Sequence, residues 1–384
     1  MAACATPPHE KRAPSTANAP AASSKSPDEV LKLVKFADLP GWADDDLRQA
    51  WPAFLSSCAV LIKKPDWQEV CGLTSFVDGS DPKAVRNYFE SQFSPHQVKN
   101  TDGSVSGMLT GYYEPLLRGS RVRGGAFQTP LYRAPEDLLT IDLASLYPEL
   151  KNKRLRGRVV GKKVVPYFSR AELSQLDPLA GSELLWVDSP IDAFFLQIQG
   201  SGRVYLEETR ETVRLAYADQ NGHPYKSIGR YLADRGELEL NQASAQGIMR
   251  WAATNPARMP ELLNANPSFV FFREEKINDP TVGPKGALGV ALTAQRSIAI
   301  DPQYIPLGVP VFLASTQPNS DTLLRRLMLA QDTGGAIRNP VRADFFWGFG
   351  SEAAEKAGKM KQALMMWVLL PKAMISASKS ANKD

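Results

Sequence analysis

Apolar and polar positions change their period along the 384-residue chain. Residues 28–98 read as helical. Asp28-Glu29-Val30-Leu31 opens a short amphipathic stretch, and Asp44 to Ile62 carries apolar residues near helical spacing. Asp81 ahead of Pro82 marks a helix start, since proline fits the first helical position, and Val85, Tyr88 and Phe89 follow.

Beyond that point short apolar runs and turn residues dominate. Ser106–Tyr113, Leu184–Val187, Ala193–Gln199, Val204–Leu206, Thr212–Tyr217 and Phe269–Phe272 are expected strands. Leu155–Phe168 reads as a hairpin about Gly161-Lys162, and Ser169-Arg170-Ala171-Glu172 is a capping box. Helical spacing returns at Ile228–Arg235, with Gly236 as the stop, and at Ala243–Thr254 and Ala257–Asn264. The last hundred residues predict strands at Leu288–Leu292, Ser297–Ile300, Val309–Leu313, Leu327–Gln331, Phe345–Trp347 and Met365–Leu370, with one short helix from Ser351. Many short strands with little helix predict a small barrel.

Composition adds a few constraints. Apolar residues at 43% and charged residues at 22% fit a globular chain of about two domains. A net charge of +4 is too small to argue for nucleic acid. The run Lys151, Lys153, Arg154, Arg156, Arg158, Lys162 and Lys163 has no acid in it. A solvated face explains such a run, and attraction to an anionic polymer is the functional alternative. Aromatics are not interleaved with it, which weighs against nucleic acid.

The first residues form a tract rich in Pro, Ala and Ser up to about Ser26, which is expected to be a disordered tether over 1–27, with a second tail over 373–384. Small residues before Cys4 resemble the cut end of a lipoprotein signal, which makes Cys4 the expected acylated residue. Cys58 and Cys71 flank a Pro65-containing break. They are either buried free thiols or, in an oxidising compartment, a disulfide, and export favours the disulfide. The spacing does not suit zinc, and the three histidines form no ligand pattern.

The chemistry concentrates near the C-terminus. Gln331-Asp332-Thr333-Gly334-Gly335 precedes Arg342-Ala343-Asp344-Phe345-Phe346-Trp347, with Asp344 twelve residues after Asp332. Carboxylates in apolar surroundings need a partner or a task. Burial against rings would raise the pKa of Asp344, as a general acid requires, while a salt bridge to Arg342 is the structural alternative. Asp332 before Thr-Gly-Gly is also a common turn former. An aspartic-protease reading of Asp332-Thr333-Gly334 needs two such triplets, and the chain has one. In the middle region, Thr110-Gly111-Tyr112-Tyr113-Glu114-Pro115 supplies hydroxyls and rings suited to a sugar. Gln197-Ile198-Gln199-Gly200-Ser201-Gly202 is expected to put two amides on one strand face before a turn.

Five stretches in order make the chain similar to the lytic murein transglycosylase A family: Gly111–Pro115, Phe195–Gly202, Asn266–Phe272, Gln331–Ile337 and Ala343–Gly348. The resemblance spans roughly residues 40 to 370. It implies a mainly β fold in which a double-psi barrel domain with N-terminal helices, 28–116 and 277–372, carries an inserted β domain, 117–276, with the glycan in the groove between. It implies Asp344 as the acid and then base, Asp332 as its companion, and Thr110 and Gln199 along the groove, where the ring of Tyr112 and the turn at Ser201 are also expected to meet the substrate. It implies peptidoglycan as substrate, with no metal or other cofactor, and a site on the periplasmic face of the outer membrane. Proteins of wall synthesis or division are conceivable partners. Two other readings remain open on the residues alone: a two-carboxylate peptidoglycan hydrolase, and a non-catalytic wall-binding module.

Overall fold

The computed structural model describes residues 30–150, 153, 155–277 and 279–374. Cys4, the expected tether and most of the expected tail lie outside the described residues.

Six strands close on themselves. In hydrogen-bonded order they are Gly107–Glu114, Arg342–Phe349, Ser297–Ile300, Leu323–Thr333, Pro310–Thr316 and Lys361–Pro371, and the last pairs back with the first. Two of the six contacts are parallel: Ser297–Ile300 with Leu323–Thr333, and Arg342–Phe349 with Gly107–Glu114. Closure pairs each of these six strands on both sides. The sheet continues outward from Lys361–Pro371 through Phe93–Val98 to Leu31–Leu33. Several of these strands read as unbroken apolar runs because both faces are covered. Ser297–Ile300 is buried at all four positions, and Val311, Phe312 and Leu313 are fully buried.

The N-terminal helices supply the cover. Trp51–Leu61 buries Trp51, Phe54, Cys58 and Leu61, a spacing of three, four and three that lines one helical face. Pro82–Gln92 begins as expected, with the Asp81 side chain accepting from the Lys83 N–H. Phe54, Tyr88, Phe89 and Phe93 meet in edge and tilted ring contacts. Cys58 and Cys71 are joined, stapling Trp51–Leu61 to the helix Pro65–Leu73.

A second sheet carries six strands in the order Val270–Glu275, Thr212–Gln220, Ser201–Leu206, Leu116–Ser120, Glu183–Val187 and Thr129–Tyr132. A bridge between Arg133 and Phe272 brings its two outer strands together, so the sheet curls like a barrel. Leu131, Leu185, Leu196, Val204 and Leu215 fill it. The Leu155–Phe168 hairpin forms as expected, as Arg156–Val160 paired with Lys163–Pro166. The Ser169–Glu172 capping box is present too. The chain passes from barrel to second sheet across Pro115 alone, between Glu114 and Leu116.

Three expected elements are different. Ala193–Gln199 is not a strand: it lies in the helix Pro190–Gln199. Ser189 caps the helix by accepting from the Asp192 N–H, and Gly200 ends it at φ 79°. Helix signals flank an apolar run, and the run is apolar because Phe194 and Leu196 pack into two different cores. Leu288–Leu292 is a turn about Gly289, φ +86°, with Leu288 donating its N–H to the Gln331 carbonyl. The region expected to be helical, 28–98, is extended at both ends: Leu31–Leu33 is an edge strand on Phe93–Val98, itself a strand paired with Lys361–Pro371.

Candidate active site at the barrel–insert junction

Register assembles the site. Asp344 is paired with Thr110 on one side and with Ala299 on the other. Ala299 is in turn paired with Asp332 on its far side. Cross-strand partners at one level face the same way, so Thr110, Asp344, Ala299 and Asp332 form a row across four strands. A register shift makes this row possible. Ile298 pairs with Ala330 but Ala299 pairs with Asp332, so Gln331 is the extra residue of a bulge. Gln331 is fully buried and held at both ends of its amide. Its Oε1 accepts from Ser297 Oγ at 2.6 Å, and its Nε2 donates to the Ala53 carbonyl at 2.8 Å and to Ser57 Oγ at 2.9 Å. The N-terminal helix thereby fixes the bulge that aims Asp332.

Both carboxylates are half-buried. Thr110 Oγ1 donates to Asp344 Oδ1 at 2.6 Å. Arg342 makes no direct hydrogen bond to Asp344; its Nη2 donates to Thr110 Oγ1 at 2.8 Å. Asp332 Oδ2 accepts from the Tyr112 hydroxyl at 3.0 Å, and its Oδ1 accepts from the N–H groups of Ala287 at 3.0 Å and Thr333 at 2.9 Å. Asp332 is thus a turn former and a partner of Tyr112 at once. Tyr112 packs on Phe346 with ring centroids 5.2 Å apart. Thr110 and Tyr112 alternate with Gly111, so they share the site face of their strand. Gly111 faces the other way, where a Cβ would stand 2.7 Å from Trp347 Nε1 and 2.9 Å from Ala357 Cα.

Loss of water around the carboxylates sets their titration. Burial pushes Asp344 above the usual carboxylate range, against the opposing pull of the Thr110 hydrogen bond and the Arg342 charge. Burial raises Asp332 to about 6, against three hydrogen bonds that favour its charged form. Tyr112 is pushed well above its ordinary value by burial first, then by the two carboxylates.

The second sheet meets the barrel beside this row. Gln199, on the last turn of its helix, accepts the Tyr113 N–H at 3.1 Å. Gln197, expected beside it, points elsewhere: it accepts from Arg170 Nη2 at 2.6 Å in the interior of the second domain. The two amides therefore do not share a face, because helical residues two apart diverge where strand residues would align. Ser201 starts the following strand opposite Ala216 and bonds neither carboxylate. The Glu114 side chain is fully buried between Arg203 Nε at 2.8 Å and Arg214 Nε at 2.5 Å, so barrel and second sheet are joined by ion pairs next to Pro115. The basic run is partly tied down: Arg156 pairs with Asp219 and Arg158 covers the Phe168 ring.

Ala299 and Ala287 carry no chemical signal that a sequence reading could have used, and Gln331, though it opens the Gln331–Ile337 stretch, gives no local sign of the bulge. Arg342 was visible as a cation near Asp344, but its partner is Thr110.

Residues 108–273 match the MltA specific insert domain, and residues 296–370 match the 3D domain. The chain is 33% identical over 293 residues to the membrane-bound lytic murein transglycosylase A of Escherichia coli (strain K12), covering 74% of this chain and 71% of that protein. The chain belongs to the lytic murein transglycosylase A family. Among solved members, the monoclinic crystal form of MltA from Neisseria gonorrhoeae is 38% identical with a TM-score of 0.76, covering 89% of this chain and 92% of that one. The E. coli MltA structure with bound chitohexaose is 28% identical with a TM-score of 0.67, covering 89% of this chain and 94% of that one. These neighbours have the same mainly β architecture, so the expected barrel with its insert is the fold of this chain.

Proposed function

We propose that this transglycosylase cleaves the β-1,4 bond between N-acetylmuramic acid and N-acetylglucosamine in peptidoglycan, with Asp344 as its acid and then its base. The observation that carries the assignment is the state of Asp344: half-buried, raised by burial, and held by Thr110. An acid must keep its proton near neutral pH, and this environment favours the protonated form.

The proton goes from Asp344 to the bridging oxygen as the C1–O bond breaks. The C6 hydroxyl of the same muramoyl residue then attacks C1, and its proton returns to Asp344. The product is a 1,6-anhydro sugar, and no water is consumed. Intramolecular attack has a high effective molarity, so a second carboxylate nucleophile is not needed. Asp332 serves as the positioning partner, holding the Tyr112 hydroxyl and the Ala287 backbone. Tyr112, Gln199 and Ser201 would contact the glycan, as would Thr110. Binding of a glycan strand along this face is consistent with the chitohexaose bound by the E. coli relative.

Attachment to the outer membrane through a lipid on Cys4, on the periplasmic side, agrees with the membrane-bound character in the name of the E. coli relative. Among the described residues no helix is long and apolar enough to cross a membrane. Wall-synthesis or division proteins are the partners proposed for such a location.

The test is mass spectrometry of muropeptides released from purified peptidoglycan by the protein and by Asp344→Asn. Anhydro products from the first and none from the second are expected. Reducing-end products would move the assignment to a hydrolase that uses both Asp332 and Asp344, and no release by either protein would leave a wall-binding module.

A further inference from the structure

Thr110 has one hydroxyl proton and two neighbours that compete for its orientation. Arg342 can only donate hydrogen bonds. Its Nη2 stands 2.8 Å from Thr110 Oγ1, so there Thr110 is the acceptor. The hydroxyl proton must then point to its other partner, Asp344 Oδ1, at 2.6 Å. Arg342 is itself held in place. Its Nη1 donates to the Ala343 carbonyl and reaches the Met108 carbonyl at 3.4 Å, and the side chain is half-buried. A guanidinium held by backbone carbonyls is a fixed charge on one face of the hydroxyl.

We infer that Arg342, acting through Thr110, is a positioning residue that dedicates Asp344 Oδ1 to accepting and leaves Oδ2 as the oxygen that carries and returns the proton. The inference rests on the acid–base role proposed for Asp344 and adds a residue and an atom to it. In the protonated state the proton sits on Oδ2, because Oδ1 already receives one from Thr110. As the proton leaves for the bridging oxygen, negative charge grows on the carboxylate. The Thr110 hydrogen bond then becomes charge-assisted and strengthens, with Arg342 polarising it from behind. The relay therefore stabilises the transition state more than the ground state, which is what raises kcat. When the C6 hydroxyl gives up its proton, Oδ2 takes it and the relay relaxes. No atom or electron from outside is required.

Other charged and titratable groups lie around Asp344, and its charge raises both Tyr112 and Asp332. Arg342 lies on its own strand, Tyr112 on the neighbouring strand, and Asp332 across Ala299. The helix Ser351–Lys359 covers the opposite side of the Asp344 strand, with Lys356 over the Trp347 ring. Only Arg342 both lowers Asp344 by its charge and touches the group bonded to it.

The test is kcat against pH on purified peptidoglycan for the full chain and for Arg342→Leu, Thr110→Val, Thr110→Ser and the Arg342→Leu/Thr110→Val pair. Removing a group that favours the ionised form lets Asp344 hold its proton to higher pH. Arg342→Leu and Thr110→Val should each move the alkaline limb upward and lower the maximal kcat by roughly tenfold. Thr110→Ser should keep the parent limb. Arg342→Leu should add little on top of Thr110→Val, because the charge acts through the hydroxyl. An unmoved limb in both single variants, or fully additive losses in the pair, would overturn the relay. If Arg342→Leu fails to fold, Arg342→Gln, which removes the charge and keeps a donor, takes its place, and an unmoved limb in that variant overturns the relay in the same way. Asp344→Asn separates this from the underlying assignment. Cleavage by that variant removes the acid–base role itself, whereas an inactive Asp344→Asn with unmoved limbs removes the relay alone.

Discussion

Asp332 and Asp344 are both register partners of one residue, Ala299, on the short strand between them. The alanine methyl is all that stands at that level between the two acidic strands, and Ala299 is buried with Tyr112, Phe346 and Leu292. Ala299→Leu would force extra carbons into this layer. Overpacking of that kind costs about 1–3 kcal/mol. We expect the variant to fold with a lowered denaturation midpoint and to lose on the order of 10² in kcat, since a displacement of about 1 Å suffices for such a loss. Urea titration and muropeptide release on the same preparation check both numbers. Full activity would show that the row tolerates widening.

Asp332 gives the pH dependence of stability a definite sign. Its folded-state pKa is raised from 3.8 to about 6, so ionising it is harder in the folded protein than in the unfolded chain. Its contribution to stability is present below about pH 4 and lost as pH rises through about 6. Asp332→Asn carries no such loss. The difference in Tm, variant minus parent, should grow as the pH is raised from 4 to 7, as scanning calorimetry can measure. A difference that shrinks over the same interval is the opposing result.

Glu114 joins the barrel to the second sheet through Arg203 and Arg214, and Arg214 also donates to the Val282 carbonyl at 2.6 Å. Removing one partner of a buried charge cluster leaves the others uncompensated, at about 3–5 kcal/mol. Glu114→Ala is therefore expected to lose that much stability in denaturant unfolding. Glu114→Gln, which keeps an acceptor but not the charge, should lose less. Equal stability of all three proteins would mean that the cluster adds nothing beyond an apolar contact.

Cys58 and Cys71 close a loop of sequence separation 13 between two helices that cover the barrel. Constraining the unfolded chain over such a loop contributes about 3 kcal/mol in the loop-entropy view. The double variant Cys58→Ala/Cys71→Ala should lower the urea midpoint accordingly, and reductant should move the parent protein toward the variant without affecting the variant itself.

Parts of the fold governed by local chemistry are legible along the chain. Pro82 behind Asp81 made a helix start, and Ser169 with Glu172 made a capping box. Gly161 made a hairpin turn, and unbroken apolar runs made barrel strands, because each signal acts within a few residues. The five stretches in order were enough to indicate the family and to make Asp344 and Asp332 the expected carboxylates. Tertiary structure decided what local signals leave undetermined. Phe194 and Leu196 are apolar in either a strand or a helix, and packing between two cores chose the helix, which turned Gln197 away from Gln199. Arg342 sits two residues from Asp344, yet its Nη2 binds Thr110 Oγ1, a partner 232 positions away. The bulge at Gln331 is held by a helix whose contacts are more than 270 residues distant in sequence. Pairings of that range depend on closing the barrel, and no period or spacing along the chain encodes which strands will meet.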